Sequence, residues 1–129
     1  MPPAARTLGF EFVAASDESI EVAFHARHEF TTPFGDVLGG FLAAMLYDTV
    51  GPTVLSTLGG GEFIKVLDLA TYFLRPARPG RIIGRGRILK RTGEIVVVEA
   101  SLADQDATVA TATATILIVS TETPDAVEI

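Results

Sequence analysis

The sequence contains no cysteine, which excludes disulfides, thiolate nucleophiles and zinc–thiolate sites together. It has only two histidines, His25 and His28, which lie close together with no third ligand at a metal-binding spacing, so we interpret them as surface side chains. No phosphate-binding loop, nucleophile elbow or internal repeat is present. Basic residues are also few, ten against sixteen acidic ones, and the net charge of −6 disfavours nucleic acid and anionic membrane surfaces as partners.

What remains is an apolar chain of ordinary domain size. Its 129 residues are 48% hydrophobic and 20% charged, enough for a core and too little charge for disorder, so we expect one domain over residues 1–129. The first residues lack the charged segment and apolar run of a secretory signal. Together with the absence of cysteine, this favours a cytoplasmic location.

The order of periodic segments predicts an α+β fold. Residues 20–25 alternate as a half-buried strand, residues 31–36 form a loop, and an almost wholly apolar helix begins at Gly39. Asp48, Gly51 and Pro52 interrupt this helix, which favours a buried core helix over a membrane span. Four strands follow, over residues 63–74, 81–91, 94–103 and 108–119, and the polar tail 122–129 is expected to fray.

Several strings, in this order and spacing, resemble the hotdog-fold acyl-CoA thioesterases of the phenylacetate-degradation type. They are Pro33-Phe34-Gly35 before Leu38-Gly39-Gly40, the helix 41–46, residues 72–80 and residues 110–114. The resemblance covers almost the whole chain. It implies one long helix wrapped by an antiparallel sheet, and a coenzyme A thioester as substrate.

The sequence departs from that family at three positions. Leu38 stands where the family usually has histidine, Thr32 where it often has asparagine, and Tyr47 where its helix carboxylate most often falls. Asp48 follows one residue later. These departures leave open an enzyme with an altered active site and a protein that only binds acyl-CoA.

Thioester hydrolysis needs an activated nucleophile and donors for the oxyanion. Gly39 and Gly40 stand at the expected helix start, where unpaired N–H groups and the helix dipole favour negative charge. Asp48, the only acidic residue of the helix, is the candidate general base, or less favourably a nucleophile. The alternatives are glycines that only allow close packing, and an aspartate that is exposed or bonded to the backbone. Tyr47 is expected to donate a hydrogen bond or to line the acyl pocket.

Coenzyme A carries phosphates, so a basic docking surface is expected. Seven of the ten basic residues lie within residues 75–91, and residue parity predicts that Arg81, Arg85, Arg87 and Arg91 share one sheet face, opposite Ile82 and Ile88. Such a run is most often a solvated face. We therefore favour phosphate contact for the hairpin end and for one further arginine: Lys90, Arg91, Thr92, Gly93 and Arg75. By resemblance, the loop and helix start add substrate contacts at Thr32, Phe34 and Leu38.

The leading hypothesis is hydrolysis of a medium-chain or aromatic acyl-CoA by a homodimer or homotetramer, without metal or cofactor. The family assembles its sites across a subunit interface, and the apolar, β-rich composition of a small chain also favours association. The alternative is a non-catalytic acyl-CoA or fatty-acyl binding protein. A hotdog dehydratase or hydratase ranks last, because no histidine stands near the helix.

Overall fold

The computed structural model describes residues 1–105 and 107–121; Asp106, within a predicted turn, and the tail 122–129 lie outside the described residues. Six strands form one antiparallel sheet around a long helix. The elements are α1 (Pro3–Thr7), β1 (Glu11–Ser16), β2 (Ser19–Ala26), a 3₁₀ turn (His28–Phe30), α2 (Gly39–Leu55), β3 (Glu62–Phe73), β4 (Gly80–Thr92), β5 (Ile95–Asp104) and β6 (Ala107–Ser120).

The strand order is β1-β2-β4-β5-β6-β3, and every neighbouring pair is antiparallel. β5 and β6 pair as a long antiparallel hairpin, as their sequences predict. β3 pairs only with β6, so the other edge of this 12-residue strand is open within the chain. An open edge of this length presents unpaired backbone groups to another strand.

Helix α2 forms the centre of the core. Its apolar side chains point into the sheet, and Leu42, Met45, Leu46, Val50 and Val54 are almost completely buried. The helix contacts β2, β3, β4, β5 and β6, because the sheet curves around it. This confirms the predicted α+β arrangement, one buried helix wrapped by an antiparallel sheet.

Two glycines of β4 let the helix approach the sheet closely. A Cβ at Gly84 would lie 2.6 Å from Thr49 Oγ1, and one at Gly86 would lie 2.1 Å from Thr53 Oγ1. Each threonine hydroxyl donates to the helix carbonyl four residues earlier, Met45 and Thr49 respectively, so these buried polar groups are satisfied. The two Thr–Gly contacts fix α2 against β4.

The prediction of a single strand before the helix was wrong, since α1 and β1 precede β2. Helix α1 has five residues, too few to be stable alone, and it is held by tertiary contacts instead. Leu8 is buried and its carbonyl accepts the N–H of His25, while Phe10 packs edge-on against Phe24 at 5.8 Å. A register shift between Phe12 and Ala14 breaks the alternation of β1.

The prediction that Arg91 shares a face with Arg81, Arg85 and Arg87 was also wrong. The β4–β5 register shifts between Ile88 and Lys90, which inserts one extra residue into β4. Arg91 therefore pairs with buried Val96 on the helix side of the sheet, and its guanidinium donates to Thr57 Oγ1 at 2.8 Å.

Candidate active site

The start of helix α2 carries free backbone donors. Its N-cap residue is Leu38, whose side chain cannot accept a hydrogen bond, and no side-chain cap is made. Phe41 and Leu42 donate to the Leu38 carbonyl, but among the described residues no acceptor pairs with the N–H groups of Gly39 or Gly40. Both glycines thus stand at the helix start, as predicted, with donors directed away from the helix body.

The two glycines differ in their surroundings. A Cβ at Gly39 would lie 3.3 Å from the Phe73 ring, so close packing explains this glycine in part. A Cβ at Gly40 would have no heavy atom within 4 Å. Packing therefore gives no reason for glycine at position 40.

The loop before the helix is held by its own hydrogen bonds. Thr32 Oγ1 donates to Asp36 Oδ1 at 2.6 Å and accepts the N–H of Phe34, and the Thr32 N–H donates to the Asp36 carbonyl. Gly35, at φ 89°, closes the turn. Thr32, a predicted substrate contact, is thus engaged within its loop, while the Phe34 side chain is 95% exposed beside the half-exposed Leu38.

Asp48 lies near the middle of α2, beside the start of the edge strand β3. The carboxylate is half-buried, and its buried Oδ2 accepts no hydrogen bond from any described residue. The two structural alternatives for Asp48 were an exposed position and a hydrogen bond to the backbone. Oδ2 is neither exposed nor hydrogen-bonded to a described residue. Burial raises the pKa of the Asp48 carboxyl above its ordinary value of 3.8, because desolvation disfavours the charged form.

Asp48 faces a cavity of about 440 Å³. The volume falls in the lower part of the range typical of small-ligand sites, about 300–1,000 Å³. Apart from Asp48 and Lys65, the lining is largely apolar. It comes from α1 and the segment after it, from α2 and from the open edge of β3, and includes Ala5, Phe10, Tyr47, Leu55, Phe63 and Val66.

Pro52 adds a second polar feature to the same wall. It lies in the cavity lining and has no N–H to donate to the carbonyl of Asp48, four residues earlier. Tyr47 is half-exposed at the cavity wall, a position compatible with its predicted role in lining the acyl pocket.

The glycine donors and the carboxylate do not meet within one chain. Eight residues separate Gly40 from Asp48, and a helical rise of about 1.5 Å per residue places them roughly 12 Å apart along α2. One thioester carbonyl cannot contact both groups of the same helix at hydrogen-bond distance.

Three of the seven basic residues of 75–91 form ion pairs, and the other four, Arg75, Arg78, Lys90 and Arg91, form none with the described residues. Arg81, Arg85 and Arg87 form exposed ion pairs with acidic partners on neighbouring strands, Glu11, Glu21 and Glu99. Lys90 and the guanidinium of Arg75 have no ionic partner among the described residues. The Lys90–Gly93 hairpin end lies at the C-terminal end of α2, as the Arg91–Thr57 contact shows, while Arg75 follows β3 at the other end of the sheet, near Gly39.

Within residues 1–105 and 107–121, no group of three or more histidine or acidic side chains is placed to hold a metal ion, and His25 and His28 are exposed. No described helix is long and apolar enough to cross a membrane.

The cavity is the part of the site that the sequence did not reveal. Its walls combine α1, the middle of α2 and the start of β3, elements far apart in the chain. Two adjacent residues of the helix, the isolated carboxylate Asp48 and Tyr47, were the sequence signals that pointed toward it. Nothing in residues 1–10 marked them as part of a site.

Comparison with known proteins agrees with this fold. A solved structure from Ralstonia eutropha JMP134, a proposed thioesterase described as phenylacetic acid degradation-related, is 38% identical, with a TM-score of 0.89 over 91% of this chain and 90% of that one. A Bacillus halodurans protein solved with CoA is 23% identical, with a TM-score of 0.78 over 89% of this chain and 74% of that one, and shares the fold. A proposed esterase of Haemophilus influenzae is 34% identical over 79 residues, which span 60% of this chain and 56% of that protein.

The architecture is thus that of the hotdog-fold thioesterases. The family model for the acyl-CoA thioesterase N-terminal domain matches residues 27–117, most of the chain. The chain belongs to this thioesterase family, which acts on coenzyme A thioesters. Helix α1 and strands β1 and β2 lie before the matched residues.

Proposed function

We propose that this protein hydrolyses a medium-chain or aromatic acyl-CoA to the free acid and coenzyme A. The observation that carries the proposal is the Asp48 carboxylate, which lies without a hydrogen-bond partner at an apolar cavity in a thioesterase-family fold. A buried, unpaired carboxylate costs stability, and such costs are typical of functional sites. The largely apolar lining accepts an apolar acyl chain.

In the proposed reaction Asp48 acts as a general base. Its ionised carboxylate takes a proton from a water molecule, the water oxygen bonds to the thioester carbonyl carbon, and the carbonyl oxygen becomes an oxyanion. Collapse of this intermediate breaks the C–S bond, and the proton held by Asp48 passes to the departing thiolate. The raised pKa makes this carboxylate a stronger base than an ordinary aspartate. The Asp48 carbonyl, which Pro52 leaves without its usual helix donor, is a second acceptor near the water.

The oxyanion donors are assigned to the N–H groups of Gly40 and Gly39. They are unpaired, and the helix dipole adds positive potential at this point. Because about 12 Å separates Gly40 from Asp48 along α2, the donors and the base at one carbonyl belong to different chains. The proposal therefore requires a homodimer, which is compatible with pairing into a tetramer.

The open edge of β3 is the proposed dimer contact. Its unpaired backbone lies beside exposed apolar side chains, among them Leu67, which is 50% exposed, and Tyr72 and Phe73. Pairing two such edges would continue the sheet across the interface and cover this surface.

Coenzyme A phosphates are assigned to Lys90 and Arg91 with the Thr92–Gly93 turn, and to Arg75. The arginines at 81, 85 and 87 are already neutralised by glutamates, so they have less charge to offer a phosphate. Lys90 has no such partner, and lies at the end of α2 nearer its C-terminus. Arg75 lies near the glycine donors, at the other end of the sheet, and so would reach a different part of the bound substrate or a second site of the dimer.

A non-catalytic acyl-CoA binding protein is the second candidate. The observation that favours it is the engagement of the Thr32 hydroxyl within its own loop, together with Leu38 and Tyr47 at positions where the resembling family carries polar groups. Such a protein would use the same cavity and the same basic hairpin end.

One experiment separates the two candidates. The purified protein is incubated with acetyl-, hexanoyl-, decanoyl- and phenylacetyl-CoA, and free thiol release is followed for the wild type, Asp48→Asn and Asp17→Asn. Asp17 is an exposed turn residue at φ 46°, which asparagine tolerates, so it serves as the matched control. We expect turnover to fall about 10²–10⁴-fold in Asp48→Asn alone, with little change in affinity. Saturable binding without thiol release in the wild type would establish the binding protein instead.

A further inference from the structure

The N-terminal helix α1 and the long helix α2 both line the Asp48 cavity. The segment after α1 is fixed on β2 by buried Leu8, by the hydrogen bond from the His25 N–H to the Leu8 carbonyl, and by the edge-on contact of Phe10 with Phe24. Gly9, at φ 67°, permits this approach, since a Cβ would lie 2.8 Å from His25 Cβ. The segment is therefore a packed part of the molecule.

Helix α1 also forms one wall of the Asp48 cavity. Ala5 is the only buried residue of α1. Ala5, and Phe10 in the segment after the helix, line the cavity together with Asp48 and Tyr47. A small residue at position 5 leaves space that a larger side chain would fill. The segment lies before residues 27–117, so its contribution to the cavity is not part of what the family match covers.

We propose that α1 is the specificity wall of the acyl pocket, and that Ala5 sets the longest acyl group that the pocket accepts. This inference rests on the proposed function, because it assigns the acyl group to the cavity at Asp48. The substrate class is an uncharged, apolar acyl thioester. On the α1 side of the cavity the acyl chain meets the apolar side chains of Pro2, Ala5 and Phe10.

The test changes the depth of the cavity in both directions. Ala5→Leu adds bulk to the wall, while Phe10→Leu removes part of a ring from it. Ala4→Leu is the matched control, because Ala4 lies on the same helix and is exposed. Each variant is measured with acetyl-, hexanoyl- and decanoyl-CoA, for kcat/KM by thiol release and for affinity by calorimetry in the Asp48→Asn background.

We expect Ala5→Leu to lower kcat/KM and affinity for decanoyl-CoA at least tenfold relative to acetyl-CoA, and Phe10→Leu to shift the preference toward longer chains. Ala4→Leu should leave the profile of the wild type unchanged. If Ala5→Leu does not fold, the direction of the Phe10→Leu shift decides the question. An unchanged chain-length profile in the folded variants, or a wild type whose affinity does not depend on chain length, overturns the inference. Chain-length-dependent binding without turnover refutes the hydrolase but retains the specificity wall.

Discussion

Replacing Asp48 by asparagine should make the protein more stable at neutral pH while it removes the proposed base. In the wild type the buried Oδ2 has no partner, and leaving a buried polar group unpaired costs about 1–3 kcal/mol. Asparagine removes the charge but keeps a polar amide, so we expect recovery of the lower part of that range, about 1 kcal/mol. For a domain of this size, this corresponds to an increase in Tm of roughly 4 °C.

The gain should depend on pH with a definite sign. Because burial raises the pKa of Asp48 in the folded state, the unfolded chain loses this proton first as the pH rises. As the pH rises from 3.8 to the raised pKa of the folded state, the free energy of unfolding of the wild type therefore decreases relative to that of Asp48→Asn. Above the raised pKa the difference is constant. Below pH 3.8 the carboxyl is neutral in both states, so the advantage of the variant should vanish.

Thermal unfolding of the wild type, Asp48→Asn and Asp17→Asn across this pH range measures the effect. The exposed Asp17 should give a small difference with no such pH dependence. A variant at position 48 that is less stable than the wild type at neutral pH, or a gain that persists unchanged in acid, would refute the reasoning and indicate a structural role for the carboxylate.

Three further predictions follow from the packing, the sheet edge and the charges. Gly86→Ala should destabilise the protein by about 1–3 kcal/mol in denaturant titrations, because its Cβ would clash with Thr53, and adding Thr53→Ala should recover most of the loss. Leu67→Lys places a charge at the proposed β3 contact and should convert the dimer to monomer in analytical ultracentrifugation; an unchanged mass would exclude this edge as the interface. Lys90→Ala should weaken coenzyme A binding mainly at low salt, whereas Arg85→Ala, already paired with Glu21, should not; equal effects would remove the distinction between the two sets.

The parts of the fold that the sequence predicts are those with long, regular patterns. The helix from Gly39 is predicted by its helix formers and continuous apolar run, and the four strands after it by alternation and turn residues; the structure confirms both. Helix α1 has no comparable signal, because its stability comes from contacts made by Leu8 and Phe10. The extra residue in β4 likewise leaves no mark in the sequence, so parity placed Arg91 on the wrong face.

The sequence likewise predicts one part of the candidate site and not the other. An isolated carboxylate in an apolar helix and two glycines at its start are visible in the sequence. Their separation of about 12 Å follows from the helix itself. The lack of a partner for Asp48 and the origin of the cavity walls depend on side chains brought together from distant segments, such as Ala5 and Phe63.

The two Thr–Gly contacts between α2 and β4 fix the position of the helix on the sheet at two points. One helical turn from Thr49 to Thr53 advances about 6 Å, close to the advance of roughly 6.6 Å over two strand residues from Gly84 to Gly86. Because the two spacings match, α2 can neither slide along β4 nor rotate about its own axis without breaking a contact. Any movement needed to admit a substrate must then occur in the surrounding loops and α1. The chemical groups on α2 keep their positions relative to the sheet.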